Sequence, residues 1–211
     1  MTKESRLKLT EIFRSLQGEA DTVGIPTVFV RLTGCPLRCH YCDTAYAFHG
    51  GQWWTLPEIL ARVAELEVRH VCVTGGEPLA QAAVHELLAA LCDVGYRVSL
   101  ETSGAMSLER VDPRVVKVVD IKTPASGEES RNRYDELARL DQKDLLKFVI
   151  ADRTDYEWSR EQLKARALSE RCTVLFSPSH QQLKAGDLAD WILEDRLPVR
   201  FQIQLHKELW G

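Results

Sequence analysis

The stretch Cys35-Pro36-Leu37-Arg38-Cys39-His40-Tyr41-Cys42 sets three cysteines at C-x₃-C-x₂-C spacing, followed at once by Asp43-Thr44 and with no fourth cysteine nearby. An iron-sulfur cubane is ordinarily closed by four thiolates, so three leave one iron open to a small molecule. An electron-transfer protein has no use for that opening. A second reading is structural zinc with His40 or His49 as fourth ligand, since zinc accepts a closed Cys₃His tetrahedron, although zinc modules usually bring their ligands as two separated pairs. A third is a disulfide with a spare thiol. The chain shows no basic start followed by an apolar leader, so nothing points to an oxidising compartment. Cys72, Cys92 and Cys172 fall in strand and helix patterns, where cysteine is a small buried hydrophobe.

Working outward, Thr27-Val28-Phe29-Val30 is a β-branched and aromatic run, expected to be the strand that delivers the cysteine loop. Thr55 to Leu66 has helical periodicity, with Thr55 and Glu58 placed for a capping box. Strand His70 to Thr74, helix Leu79 to Val94 ended by Gly95, and strand Arg97 to Glu101 follow. Further strands are expected at Val115 to Ile121, Leu146 to Ile150, Thr173 to Phe176 and Phe201 to Leu205, with helices at Asp155 to Arg166 and Leu188 to Leu193. Strands alternating with helices imply parallel β-α units. A full eight-stranded barrel takes about 250 residues, and this chain of 211 also spends length on the cysteine loop and on the charged stretch Gly127 to Asp141. The expected architecture is therefore an α/β, incomplete TIM-like barrel in one domain spanning residues 1–211, with ligands at the C-terminal ends of the strands.

Composition narrows the class. A hydrophobic fraction of 45% and a charged fraction of 27% are those of an ordinary globular protein. No apolar run nears the roughly 20 residues that span a bilayer, so a cytoplasmic enzyme without membrane contact is expected. A formal charge of -4 and pI near 5.9 give no basic footprint for phosphate backbones. No nucleic-acid partner is expected.

The C-x₃-C-x-aromatic-C loop resembles that of the radical S-adenosylmethionine enzymes. Taken with Ser15-Leu16-Gln17-Gly18-Glu19, Arg31-Leu32-Thr33-Gly34, the Cys42-Asp43-Thr44 step and the closing His206-Lys207-Glu208-Leu209-Trp210-Gly211, the chain is similar nearly end to end to the 7-carboxy-7-deazaguanine synthases of the queuosine pathway. That resemblance implies a radical-SAM core of roughly six parallel strands, shorter than the eight of a full barrel. It implies a lyase that contracts 6-carboxy-5,6,7,8-tetrahydropterin to 7-carboxy-7-deazaguanine with release of ammonia. A 4Fe-4S cluster on Cys35, Cys39 and Cys42, S-adenosyl-L-methionine on its open iron, and Mg²⁺ are the implied cofactors, and the radical centre rather than any side chain is the catalyst. A homodimer and an external electron donor such as flavodoxin or ferredoxin are implied partners. A glycyl-radical activase is the nearest rival, but lacks the combination of Gln17-Gly18-Glu19 with Cys42-Asp43-Thr44.

The remaining motifs take their roles from the same resemblance. Thr74-Gly75-Gly76-Glu77-Pro78 corresponds to a Gly-Gly-Glu turn whose bare backbone approaches the methionine ammonium. Gly76 and Glu77 are assigned to S-adenosylmethionine and Thr74 to the substrate. Glu101 and Ser103, with hydroxyl and carboxylate oxygens, suit a ribose, and Tyr41, Lys122 and Ser177 complete the cofactor set. His180, in the same segment as Ser177, is a further candidate near the adenine. Asp120-Ile121-Lys122 stands where many relatives carry Ser-Pro-Lys. Leu16, Gln17 and Gly18 correspond to a segment that reads the pterin edge, although Ala20 stands where relatives often have glycine. Arg31, a planar fork suited to a carboxylate, His206 and Trp210 complete the substrate set. Thr44 is assigned to Mg²⁺, which keeps waters and shares its charge with substrate oxygens.

Overall fold

The computed structural model describes residues 5–210. Nine strands form one sheet in the order β3-β1-β2-β4-β5-β6-β7-β8-β9. They are β1 (Arg6–Leu16), β2 (Pro26–Leu32), β3 (Gln52–Thr55), β4 (His70–Gly75), β5 (Arg97–Thr102), β6 (Val116–Ile121), β7 (Leu145–Ile150), β8 (Thr173–Pro178) and β9 (Arg200–Phe201). From β2 to β9 every pairing is parallel, whereas β1 runs antiparallel to both β2 and β3. Six of the parallel strands have six or seven residues and β9 only two. That is the expected core of about six strands with a short extension. The sheet ends at β3 and β9, which do not pair, so the barrel is open.

Strands that read as unbroken apolar runs in fact alternate. Val28, Val30, Val71, Val73, Val98, Leu100, Val119, Ile121, Leu146, Phe148, Val174 and Phe176 share one core with the helices α1 (Leu56–Ala64), α2 (Val84–Asp93), α3 (Arg153–Ala165) and α4 (Ala185–Glu194). The intervening residues occupy the opposite, concave face. Its base is a small plug of Val118, Leu145 and Leu175 closed by Ala20. Above the plug the same positions turn polar: Thr74, Glu101, Asp120 and Lys147 line a cavity at the C-terminal ends of the strands. The loop after β1 reaches the plug because Gln202 clasps Ala20, accepting from its N–H at 2.7 Å and donating to its carbonyl at 2.8 Å.

α1 begins as expected, with Thr55 and Glu58 in a reciprocal capping box. Two expectations are corrected. The helix placed over Leu79 to Val94 starts at Val84, because Gln81 adopts an extended conformation and its side-chain amide pairs with the backbone of Lys8 at 2.8 and 2.9 Å. The strand placed over Phe201 to Leu205 shrinks to Arg200–Phe201, since Gln202 and Gln204 turn inward to Ala20 and Glu19 and a short helix α5 (Leu205–Trp210) follows. Strands β1 and β3 were not anticipated. No helix among the described residues is long and apolar enough to cross a membrane.

Candidate active site

The loops after β2, β4, β5, β6 and β8 open onto one cavity of about 910 Å³. Cys35, Cys39 and Cys42 all line it as free cysteines. Their loop is held by main-chain bonds: Gly34 N–H donates to the Ala47 carbonyl (2.8 Å), Glu77 N–H to the Gly34 carbonyl (2.8 Å), and His40 N–H to the Ser126 carbonyl (3.0 Å). Burial lifts the Cys35 thiol and pushes that of Cys39 up to about 11. Thiolates here therefore need an incoming cation, as metal ligation provides. Zinc fits poorly on spacing. Among the described residues no three His, Cys, Asp or Glu side chains sit close enough to hold one ion. A cubane instead spreads its cysteines over separate irons.

Gly76 crosses the start of this loop so closely that a Cβ would fall 2.1 Å from the Gly34 carbonyl oxygen. Gly76→Ala should therefore push Gly34 and Cys35 aside, costing about 1–3 kcal/mol. Iron content per chain after reconstitution should fall along with the melting temperature, and normal loading would contradict the close approach.

Glu77 is a correction. It is fully buried and does not line the cavity; its carboxylate accepts from Leu79 N–H (2.9 Å), Thr102 Oγ1 (2.9 Å) and Ser103 N–H (2.7 Å). It fastens the end of β4 to the end of β5, and so holds the cofactor wall without forming part of it. Ser177 is likewise buried off the wall; Ser179, His180, Gln181 and Gln182 beyond it line the cavity instead.

The other predicted cofactor residues, Tyr41, Gly76, Glu101, Ser103 and Lys122, all line the cavity. Ser103 Oγ, and Asp120 Oδ1 beside them, are buried without a partner among the described residues, polar atoms of the kind a ribose or amine would satisfy. Lys122 lies 3.1 Å from Asp120. Burial alone would lower its pKa, but the Asp120 carboxylate prevails and keeps the ammonium above its ordinary value. The donor set thus fits a cluster and S-adenosylmethionine.

The predicted substrate residues Leu16, Gln17, Gly18, Arg31, Thr74, His206 and Trp210 all line the same cavity. Gln17 Nε2 donates to Glu101 at 3.3 Å and Thr74 Oγ1 to its other oxygen at 3.1 Å. α5 closes one side, with Leu205 N–H donating to the Gly18 carbonyl at 3.0 Å and the His206 ring filling the space a Gly18 side chain would need. Gly211, which ends the C-terminal motif, lies outside the described residues. Thr44 Oγ1 donates to Asp43 at 2.7 Å, which leaves its lone pairs for a hard cation such as Mg²⁺. Asp43 is countered by Lys207 at 3.2 Å.

Among the wall residues given no role by the sequence are the charged Glu19, Lys147 and Lys207. A lone lysine in the apolar run Leu-Leu-Lys-Phe-Val-Ile was the available signal for Lys147.

An open parallel α/β barrel with three thiols and a polar cofactor wall at the strand ends defines a radical S-adenosylmethionine enzyme, and the model of the Radical SAM superfamily matches residues 29–120. The chain is 43% identical to the 7-carboxy-7-deazaguanine synthase of Chlorobaculum tepidum, covering 100% of this chain and 97% of that one. It is 44% identical to that of Koribacter versatilis, with 97% of each covered. It belongs to the 7-carboxy-7-deazaguanine synthase family, whose cofactors are a 4Fe-4S cluster and S-adenosylmethionine. A crystal structure of QueE from Escherichia coli shares the fold, with a TM-score of 0.78 over 95% of each chain at 23% identity.

Proposed function

We propose that this cavity converts 6-carboxy-5,6,7,8-tetrahydropterin to 7-carboxy-7-deazaguanine with release of ammonia. The observation that carries the reading is that the three thiols share one cavity with Gln17, Arg31, Thr74 and His206. When bound, the cluster and S-adenosylmethionine supply the radical chemistry.

Everything else falls to the protein's own residues. Cys35, Cys39 and Cys42 hold the cluster, while Tyr41, Gly76, Glu101, Ser103 and Lys122 hold S-adenosylmethionine, with Glu77 supporting them from behind. Arg31 binds the substrate carboxylate end-on, and Thr44 would hold Mg²⁺, which would supply positive charge for substrate oxygens. Leu16, Gln17, Gly18 and Thr74 grip the pterin, and Phe13 stacked on Phe29 at 5.1 Å gives a dry apolar flank. His206 and Trp210 on α5 cover the ring, which keeps water and stray hydrogen donors away. Residues 1–211 act as one domain, as a homodimer in the cytoplasm, drawing electrons from an external flavodoxin or ferredoxin.

Anaerobic turnover tests this. Reconstituted protein given reductant, S-adenosylmethionine, Mg²⁺ and the pterin should form the ring-contracted product and ammonia in equal amounts, followed by mass spectrometry. Cleavage of S-adenosylmethionine without that product would overturn the substrate assignment.

A further inference from the structure

Arg31 is not held as a free surface arginine would be. β1 carries a bulge between Leu9 and Glu11: Leu9 opposes Leu32, yet Glu11 opposes Arg31, so the extra residue Thr10 shifts the register by one. Without it Thr10 would face Arg31. With it, Arg31 Nε donates to Glu11 Oε1 at 2.8 Å, and the terminal nitrogens of the guanidinium make no hydrogen bond among the described residues. The Phe13 and Tyr46 rings stand 5.7 and 5.8 Å from the guanidinium carbon and fix the plane of the fork. Tyr46 Oη donates to the same Glu11 oxygen at 2.8 Å. Tyr46 belongs to the turn Ala45–Phe48, directly after Thr44.

From this geometry we infer that Glu11 is a positioning residue for substrate-carboxylate recognition, holding Arg31 by its inner nitrogen so that the outer two present a bidentate face. Glu11 itself does not line the cavity. Through Tyr46 it also ties the Thr44 turn to the Arg31 strand. The inference rests on the assignment of Arg31 to that carboxylate.

The test measures anaerobic binding of two pterins to the reconstituted holoenzyme: the 6-carboxylated tetrahydropterin and its analogue without the carboxylate. Glu11→Gln should weaken binding of the carboxylated pterin about tenfold, the scale of one charge-assisted hydrogen bond, and leave the analogue unchanged. KM should rise by the same factor with kcat little altered. Tyr46→Phe, which removes one hydroxyl from a residue 58% exposed, should shift the same selectivity by less and serves if Glu11→Gln does not fold. Equal losses for both pterins, or none, overturn the positioning role. Arg31→Lys separates the two claims: if it too leaves selectivity intact, the Arg31 assignment fails, and if it alone abolishes selectivity, only the role of Glu11 fails.

Discussion

Cys39→Ala should give a folded, colourless protein that neither binds a cluster nor cleaves S-adenosylmethionine above background. The sulfur is one of three thiols on the cavity wall, and no other cysteine is close enough in sequence to replace it. The loop itself is held by main-chain groups, including Cys42 N–H to the Cys39 carbonyl at 3.2 Å and His40 N–H to the Ser126 carbonyl at 3.0 Å. Neither bond uses the thiol, so far-UV circular dichroism and melting of the metal-free protein should match the parent. A structural zinc module would behave oppositely and unfold on losing a ligand. Retained visible absorption with a full iron complement in Cys39→Ala would refute the ligand assignment.

Lys147→Met should cost the largest stability of any single change on the concave face. Lys147 forms a buried ion pair with Glu19 and stands 3.6 Å from Asp120. Gln204 Nε2 donates to the other Glu19 oxygen at 2.7 Å, so this acid also ties the C-terminal segment to the loop after β1. Burial alone would raise the Glu19 pKa, but the Lys147 ammonium outweighs it and keeps the carboxyl below its usual 4.5. Losing the cation leaves a buried charge without compensation, worth about 3–5 kcal/mol. The effect carries a pH signature. In the parent, the Glu19 contribution is present above pH 4.5 and is lost as pH falls through the lowered folded value. In Lys147→Met the folded pKa rises above 4.5 instead, so the variant should lose stability as pH climbs from 5 to 8. Urea unfolding at those two pH values checks this, and a variant equally stable at both would show that Glu19 is not desolvated.

How much could be read beforehand depended on whether a signal was local. The cysteine spacing, the Thr55–Glu58 capping box and the six parallel strands are short-range patterns, and the structure reproduces them. β1 was hidden because a bulge between Leu9 and Glu11 breaks its alternation, so neither period emerges cleanly. The start of α2 was misplaced because Gln81 is claimed by the backbone of Lys8, 73 residues away in sequence. Glu77 was placed on the cofactor because its motif was read as a unit, whereas only the fold shows that its carboxylate is spent on Leu79, Thr102 and Ser103. Glu11, Glu19 and Lys147 gain their roles from partners on other strands or loops, and such pairings have no sequence periodicity.

The open iron is tested most directly by electron paramagnetic resonance of the anaerobically reconstituted, dithionite-reduced protein with and without S-adenosylmethionine. The account requires about four irons per chain and a cluster spectrum that changes when the cofactor binds. A reduced cluster whose spectrum ignores added S-adenosylmethionine, or a protein holding one divalent ion and no iron, would contradict it.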